Sequence, residues 1–185
     1  ARVKKMALPI KTRLSADDYL QLPETNLPQE LIDGEVIVTA SPVNAHQRAV
    51  GRIYQLLVSL IPNGEVILSP SDVRLDEWNI VQPDVFWIAE HSTCYDADTH
   101  FIGAPTLIVE VLSPSTAIRD KVKKFRLYEK YGVSEYWIVD TDGGYVEVWS
   151  LADEKYAFIG RYISEETFVS PILGQKSVQV SAILA

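Results

Sequence analysis

PTLIVEVLSPST, residues 105–116, sets a carboxylate inside an apolar run. Leu107, Ile108, Val109, Val111 and Leu112 are the residues of a strand buried on both faces, and Glu110 stands among them. An ionised carboxylate in an apolar interior is costly, so Glu110 requires a cation, a metal or water in a cleft. The same stretch decides the fold. After Pro114 the chain to about Tyr131 has helical spacing, Gly132 supplies a C-cap, and SEYWIVD (134–140) reads as a second buried strand. A strand, a crossover helix and a strand predict a right-handed βαβ unit.

Outward from this unit, Ser15-Ala-Asp-Asp18 resembles a capping box and opens a short helix to about Leu22. ELIDGEVIVTA (30–40) reads as a hairpin turning at Asp33-Gly34. From Asn44 to about Ile61, Val50, Ile53, Tyr54, Leu57 and Leu60 recur at helical spacing. GEVILS (64–69), DVRL (72–75) and IVQPDVFWIA (80–89) are expected as strands, with a loop from there to Pro105. YVEVWSL and KYAFIGRYI read as an antiparallel meander, and TFVSP as a last short strand. The expected class is α/β: a mixed central sheet flanked by helices, with a C-terminal antiparallel meander. One domain spanning 1–185 is expected.

Asp84 follows Pro83 in another apolar run, and proline there argues for an edge or a bulge that re-aims the acid. Asp84 and Glu110, on successive strands, can converge at one sheet end and hold a hard divalent cation, Mg²⁺ or Mn²⁺. On the following helix, Ile118, Val122 and Phe125 define the expected buried stripe. Lys124 falls at the edge of that face beside Tyr128 and Tyr131, where an ammonium can reach back over the strand bearing Glu110. There it can help deprotonate water or stabilise charge on phosphate oxygens.

The formal net charge of −8 opposes general attraction to nucleic acid, but six of the seventeen basic residues lie between Arg119 and Lys130. A second basic group, Arg2, Lys4, Lys5, Lys11 and Arg13, lies near the start. No run reaches the roughly 18–20 apolar residues of a membrane span. Cys94, the one cysteine, excludes an intrachain disulfide and fits a cytoplasmic setting. The spacing of His91, Cys94 and His100 matches no closed zinc site.

PDVFWIA, GAPTLIVEVLSPST and RDKVKKFRLYEKYGVSEYWIVD together resemble the putative restriction endonuclease family of bacteria, within the PD-(D/E)XK nuclease superfamily. ELIDGE, SPVNAHQ and DVRLDEWNIVQPD fit the same family, so the resemblance covers about residues 12–150, with the C-terminal strands 151–185 beyond it. It implies a restriction-endonuclease-like core with strand-end acids on Mg²⁺ or Mn²⁺, acting as an endonuclease on DNA. Asp84 matches the acid of the PD motif and Glu110 that of the second motif. Where the superfamily lysine should stand, two residues after Glu110, this chain has Leu112. The family's D-x-x-x-K-x-x-x-Y pattern is met by Asp120, Lys124 and Tyr128, with Lys121 as the substitute lysine. Glu30 matches a further family acid, and His46 is placed to touch the site. Lys121, Tyr128 and Gln82 are expected as substrate contacts. The competing expectation is an inactive interaction module on the same fold. A homodimer would suit cleavage of both strands of a duplex.

Overall fold

The computed structural model describes residues 13–113 and 117–184, the side chains of 117–121 excepted. The basic group from Arg2 to Lys11 lies outside the described residues.

The strand–helix–strand unit forms as the apolar pattern requires. β9 (Leu107–Val111) is buried along its whole length and pairs in parallel with β10 (Glu135–Asp140), with α3 (Ala117–Tyr131) between them in sequence. Gly132, at φ +82°, ends α3 by turning its N–H to the Tyr128 carbonyl at 3.1 Å. That left-handed conformation is easy for glycine and strained for other residues.

Four further strands complete the central sheet: β3 (Glu65–Leu68), β6 (Val85–Ile88), β11 (Tyr145–Ala152) and β12 (Lys155–Ile163). Its order is β12-β11-β10-β9-β6-β3, antiparallel except at β9/β10. The sheet is therefore mixed, as expected. On one face, Val85, Val109, Val111, Trp137 and Val139 pack with α2 (Asn44–Leu60), through Ala49, Val50, Ile53 and Leu57. β13 (Thr167–Ser170), β14 (Lys176–Gln179) and α4 (Ser181–Leu184) send Phe168, Val178 and Ile183 into the same core. On the other face, Phe86, Ile108, Tyr136 and Ile138 meet Leu127 and Tyr128 of α3.

A second sheet of short strands joins this other core. It contains β1 (Gln29–Ile32), β2 (Glu35–Val38), β4 (Val73–Arg74), β5 (Ile80–Val81), β7 (Tyr95–Asp96) and β8 (Phe101–Ile102). The strand order is β2-β1-β5-β4-β8-β7. Its Val73 and Val81 pack with Phe86 and Ile108 of the central sheet. The β1–β2 hairpin turns at Asp33 (φ +52°) and Gly34 (φ +77°), as Asp-Gly predicts. α1 (Ala16–Tyr19) carries the expected capping box, with Ser15 and Asp18 each accepting the other's backbone N–H.

The structure corrects the sequence reading at four places. The run 80–89 is two strands in two sheets, because Gln82-Pro83-Asp84 carries the chain from β5 across to β6. The segment read as a loop to Pro105 contains β7 and β8, too short to leave a periodic signal. TFVSP is not the last element, since β14 and α4 follow it. The buried stripe of α3 is also rotated. Val122 is 49% exposed, whereas Leu127 and Tyr128 are buried.

Candidate active site

Pro83 has no N–H, so the chain cannot extend a ladder through it, and β5 ends where the central sheet begins. Asp84 sits at the entrance to β6. The β6/β9 register pairs Val85 with Val109, and one further step sets Asp84 across from Glu110. Phe86 and Ile108 share the core beneath α3, and the alternation of side chains puts Glu110 on that face, while Asp84 stands at the bend just before β6. Asp84 Oδ2 accepts the Val111 N–H at 2.8 Å and lies 3.2 Å from His46 Nε2.

Glu110 finds its cation on α3. Its Oε1 accepts from Lys124 Nζ at 3.0 Å and from the Tyr128 hydroxyl at 2.6 Å. The same ammonium lies 2.8 Å from Glu30 Oε1 on β1. Glu30 Oε1 also accepts the Gln82 backbone N–H at 2.7 Å, so both sheets and α3 meet at one lysine. The Gln82 amide donates to Asp72 Oδ1 at 2.9 Å, beside a cleft of about 270 Å³ lined also by Asp98 and His100.

Burial sets the electrostatics. It pushes the Glu110 carboxyl up from its usual range, while Lys124 pulls it back and Asp84 and Glu30 add to the rise. Burial opposes the Lys124 ammonium, but Glu110 and Glu30 outweigh it and hold the group above an ordinary lysine. Tyr128 is driven well upward, chiefly by burial, so its hydroxyl stays a donor. For His46 burial disfavours the imidazolium. The Asp84 hydrogen bond, with Asp84 and Glu110 charge and the Val111 backbone, raises its pKa overall.

The chain thus brings together Asp84, Glu110, Lys124, Glu30, His46 and Gln82. Tyr128, expected to touch substrate, is fully buried with its hydroxyl committed to Glu110, so it supports that acid instead. The side chains of Asp120 and Lys121 lie outside the described residues. Asp72 and the Val111 N–H were not foreseen. Asp72 precedes a two-residue strand and is tied to the site through Gln82, a contact that spacing cannot reveal.

Among the described residues, no three His, Cys, Asp or Glu side chains gather into a ready-made metal cluster. A two-carboxylate site remains. Hydrogen bonds among the described residues engage Asp84 Oδ2 and Glu110 Oε1, so the second oxygen of each acid can serve a hard cation. One or two carboxylates with water completing the shell suit Mg²⁺ or Mn²⁺, so the donor set fits such an ion.

The model of the Uma2 family, described as putative restriction endonuclease, matches residues 16–179 of this chain. An uncharacterized protein of Synechocystis sp. is 34% identical over 132 residues, 69% of this chain and 75% of its own length. A second from the same organism is 29% identical over 150 residues, 77% of this chain and 76% of its own. Among solved structures, the chain is similar to a crystal structure titled a putative nuclease belonging to DUF820 from Anabaena variabilis. The TM-score is 0.76 at 18% identity, covering 92% of this chain and 97% of that one. At that identity the likeness is one of fold, and it agrees with the expected nuclease-like α/β core.

Proposed function

This chain belongs to the Uma2 family, described as putative restriction endonuclease, and we propose that it is a metal-dependent endonuclease that hydrolyses phosphodiester bonds in DNA. One observation carries the reading. Asp84, one residue before β6, accepts the N–H of Val111 next to Glu110, and the Lys124 ammonium is held between Glu110 and Glu30.

Asp84 and Glu110 are the residues that would hold Mg²⁺ or Mn²⁺. Such an ion polarises a scissile phosphate and makes its bound water a stronger nucleophile at neutral pH. Lys124 acts as a fixed positive charge. Two carboxylates hold it as an ammonium, which suits stabilising charge on phosphate oxygens better than accepting a proton. Tyr128 keeps Glu110 oriented from below, and Glu30 keeps Lys124 from collapsing onto Glu110 alone. The departure from the superfamily motif at Leu112 is compatible with this chemistry. What matters is where the ammonium sits, and α3 delivers it to the same carboxylate. Arg126 and Lys130, exposed on α3, are available to a DNA backbone.

Asp84→Asn and Glu110→Gln, assayed separately on supercoiled plasmid with Mn²⁺ or Mg²⁺, should each abolish cleavage and leave the folded far-ultraviolet spectrum intact. Undiminished cleavage in both variants would contradict the mechanism. One observation favours the second reading, an inactive interaction module: Lys124, Tyr128 and His46 already answer both acids without a metal. Uptake of Mn²⁺ by the purified chain separates the two, since a module of that kind has no need of the ion.

A further inference from the structure

We propose that His46 is a positioning residue, fixing the Asp84 carboxylate in the orientation that lets this acid take a divalent cation; the inference rests on the metal-dependent reading above.

The buried residues of α2 are His46, Ala49, Val50, Ile53 and Leu57, one stripe at helical spacing. Four of them are apolar and pack with Val85, Val109 and Val111 of the central sheet. The fifth is an imidazole, only 8% exposed, at the end of the stripe nearest Asp84. A leucine there would bury without any polar cost. A buried histidine with a purely structural role satisfies both ring nitrogens as a rule. Here Nδ1 is buried with no partner among the described residues. The contact that holds His46 Nε2 among the described residues is the one to Asp84 Oδ2 at 3.2 Å.

The effect falls on Asp84. Its Oδ2 is gripped from two elements, by the Val111 N–H of β9 and by His46 of α2. A carboxylate tied at one oxygen from two directions cannot swing its plane, so its other oxygen keeps one heading. Asp84 stands one residue before β6, where its backbone carbonyl accepts the Ser69 N–H at 3.0 Å, and the contacts from Val111 and His46 are what set the direction of its side chain. Hydrogen-bonding partners of metal-binding groups act in this way, and losing one typically weakens metal binding about 10–100-fold.

The full chain, stripped with EDTA, is titrated with MnCl₂ by calorimetry, and the thermal unfolding midpoint is measured on the same samples. His46→Leu should keep or raise the midpoint, because it completes an apolar stripe, while weakening Mn²⁺ binding about 10–100-fold. His46→Gln, whose amide N–H can stand where Nε2 stands, should bind Mn²⁺ close to the wild type. His46→Asn, too short to reach Asp84, should weaken binding as His46→Leu does. If His46→Leu does not unfold cooperatively, the Gln and Asn pair decides. Wild-type affinity in His46→Leu or His46→Asn, or weakened affinity in His46→Gln, overturns the positioning role and leaves the nuclease reading standing. A wild-type chain that takes up no Mn²⁺ overturns the metal-dependent reading itself, and this inference with it.

Discussion

Of the glutamates buried in strands of the central sheet, Glu110 and Glu135 are treated by their surroundings in opposite ways. Glu110 is given a cation, Lys124, and a tyrosine hydroxyl. Glu135, with no exposed surface at all, is given neutral donors: Trp137 Nε1 at 2.6 Å and the Ser170 hydroxyl at 2.8 Å. Burial therefore raises the Glu135 pKa above its ordinary 4.5, and those bonds with the Ile172 backbone only partly offset it. In the folded protein Glu135 holds its proton to higher pH than in the unfolded chain. Its contribution to stability is thus fully present below about 4.5 and is lost as pH rises through the raised folded value. Glu135→Gln keeps an acceptor for Trp137 and Ser170 and cannot ionise. Urea midpoints measured from pH 4 to 8 should fall less steeply for Glu135→Gln than for the wild type, and parallel curves would contradict this. Nothing in SEYWIVD distinguishes such a glutamate from an exposed strand residue, because its donors come from Trp137 and the distant Ser170.

At the level of elements, what was legible in the sequence is local or periodic. The Ser15 capping box, the Asp33-Gly34 turn, the α2 stripe and the Gly132 stop each depend on a few neighbouring residues, and each forms. Elements defined by distant contacts were less readable. The pattern of 80–89 is apolar on both sides of Pro83, so nothing in it marks the change of sheet. The face of α3 was misjudged for a related reason. Periodicity puts Val122 in the buried stripe and Lys124 at its edge, but two carboxylates on different sheets hold Lys124 at 12% exposure and Val122 faces out. α3 is thus docked partly by charge, and removing that charge leaves Glu30 and Glu110 buried without their cation. Lys124→Met should cost about 3–5 kcal/mol of unfolding free energy in EDTA. Mn²⁺ should restore part of the loss by returning positive charge to the site. The exposed Lys130→Met should stay within about 0.5 kcal/mol. A Lys124→Met chain as stable as the wild type in EDTA would show that the triad does not dock α3.

Across the whole molecule, the candidate site lies where two sheets and a helix meet. β1 of the short-stranded sheet brings Glu30, the central sheet brings Asp84 and Glu110, and α3 brings Lys124. The mixed α/β architecture could be read from the chain, because β9 is an apolar run interrupted by Glu110 and Asp84 lies between the apolar runs of β5 and β6. The short-stranded sheet could be read only in part: its β1–β2 hairpin and the runs holding β4 and β5 are expected as strands, whereas β7 and β8, of two residues each, are read as loop. Its contribution is substantial all the same, since Glu30 is what divides the lysine between two acids. With a formal net charge of −8, the protein gains little from general attraction to DNA. Local charge therefore does what net charge does not, above all through a cation shared by two acids. Anomalous diffraction from crystals grown with Mn²⁺ measures this directly. The account predicts a peak about 2.0–2.6 Å from a carboxylate oxygen of both Asp84 and Glu110. A fully occupied peak elsewhere, or none between these two acids at saturating Mn²⁺, would contradict it.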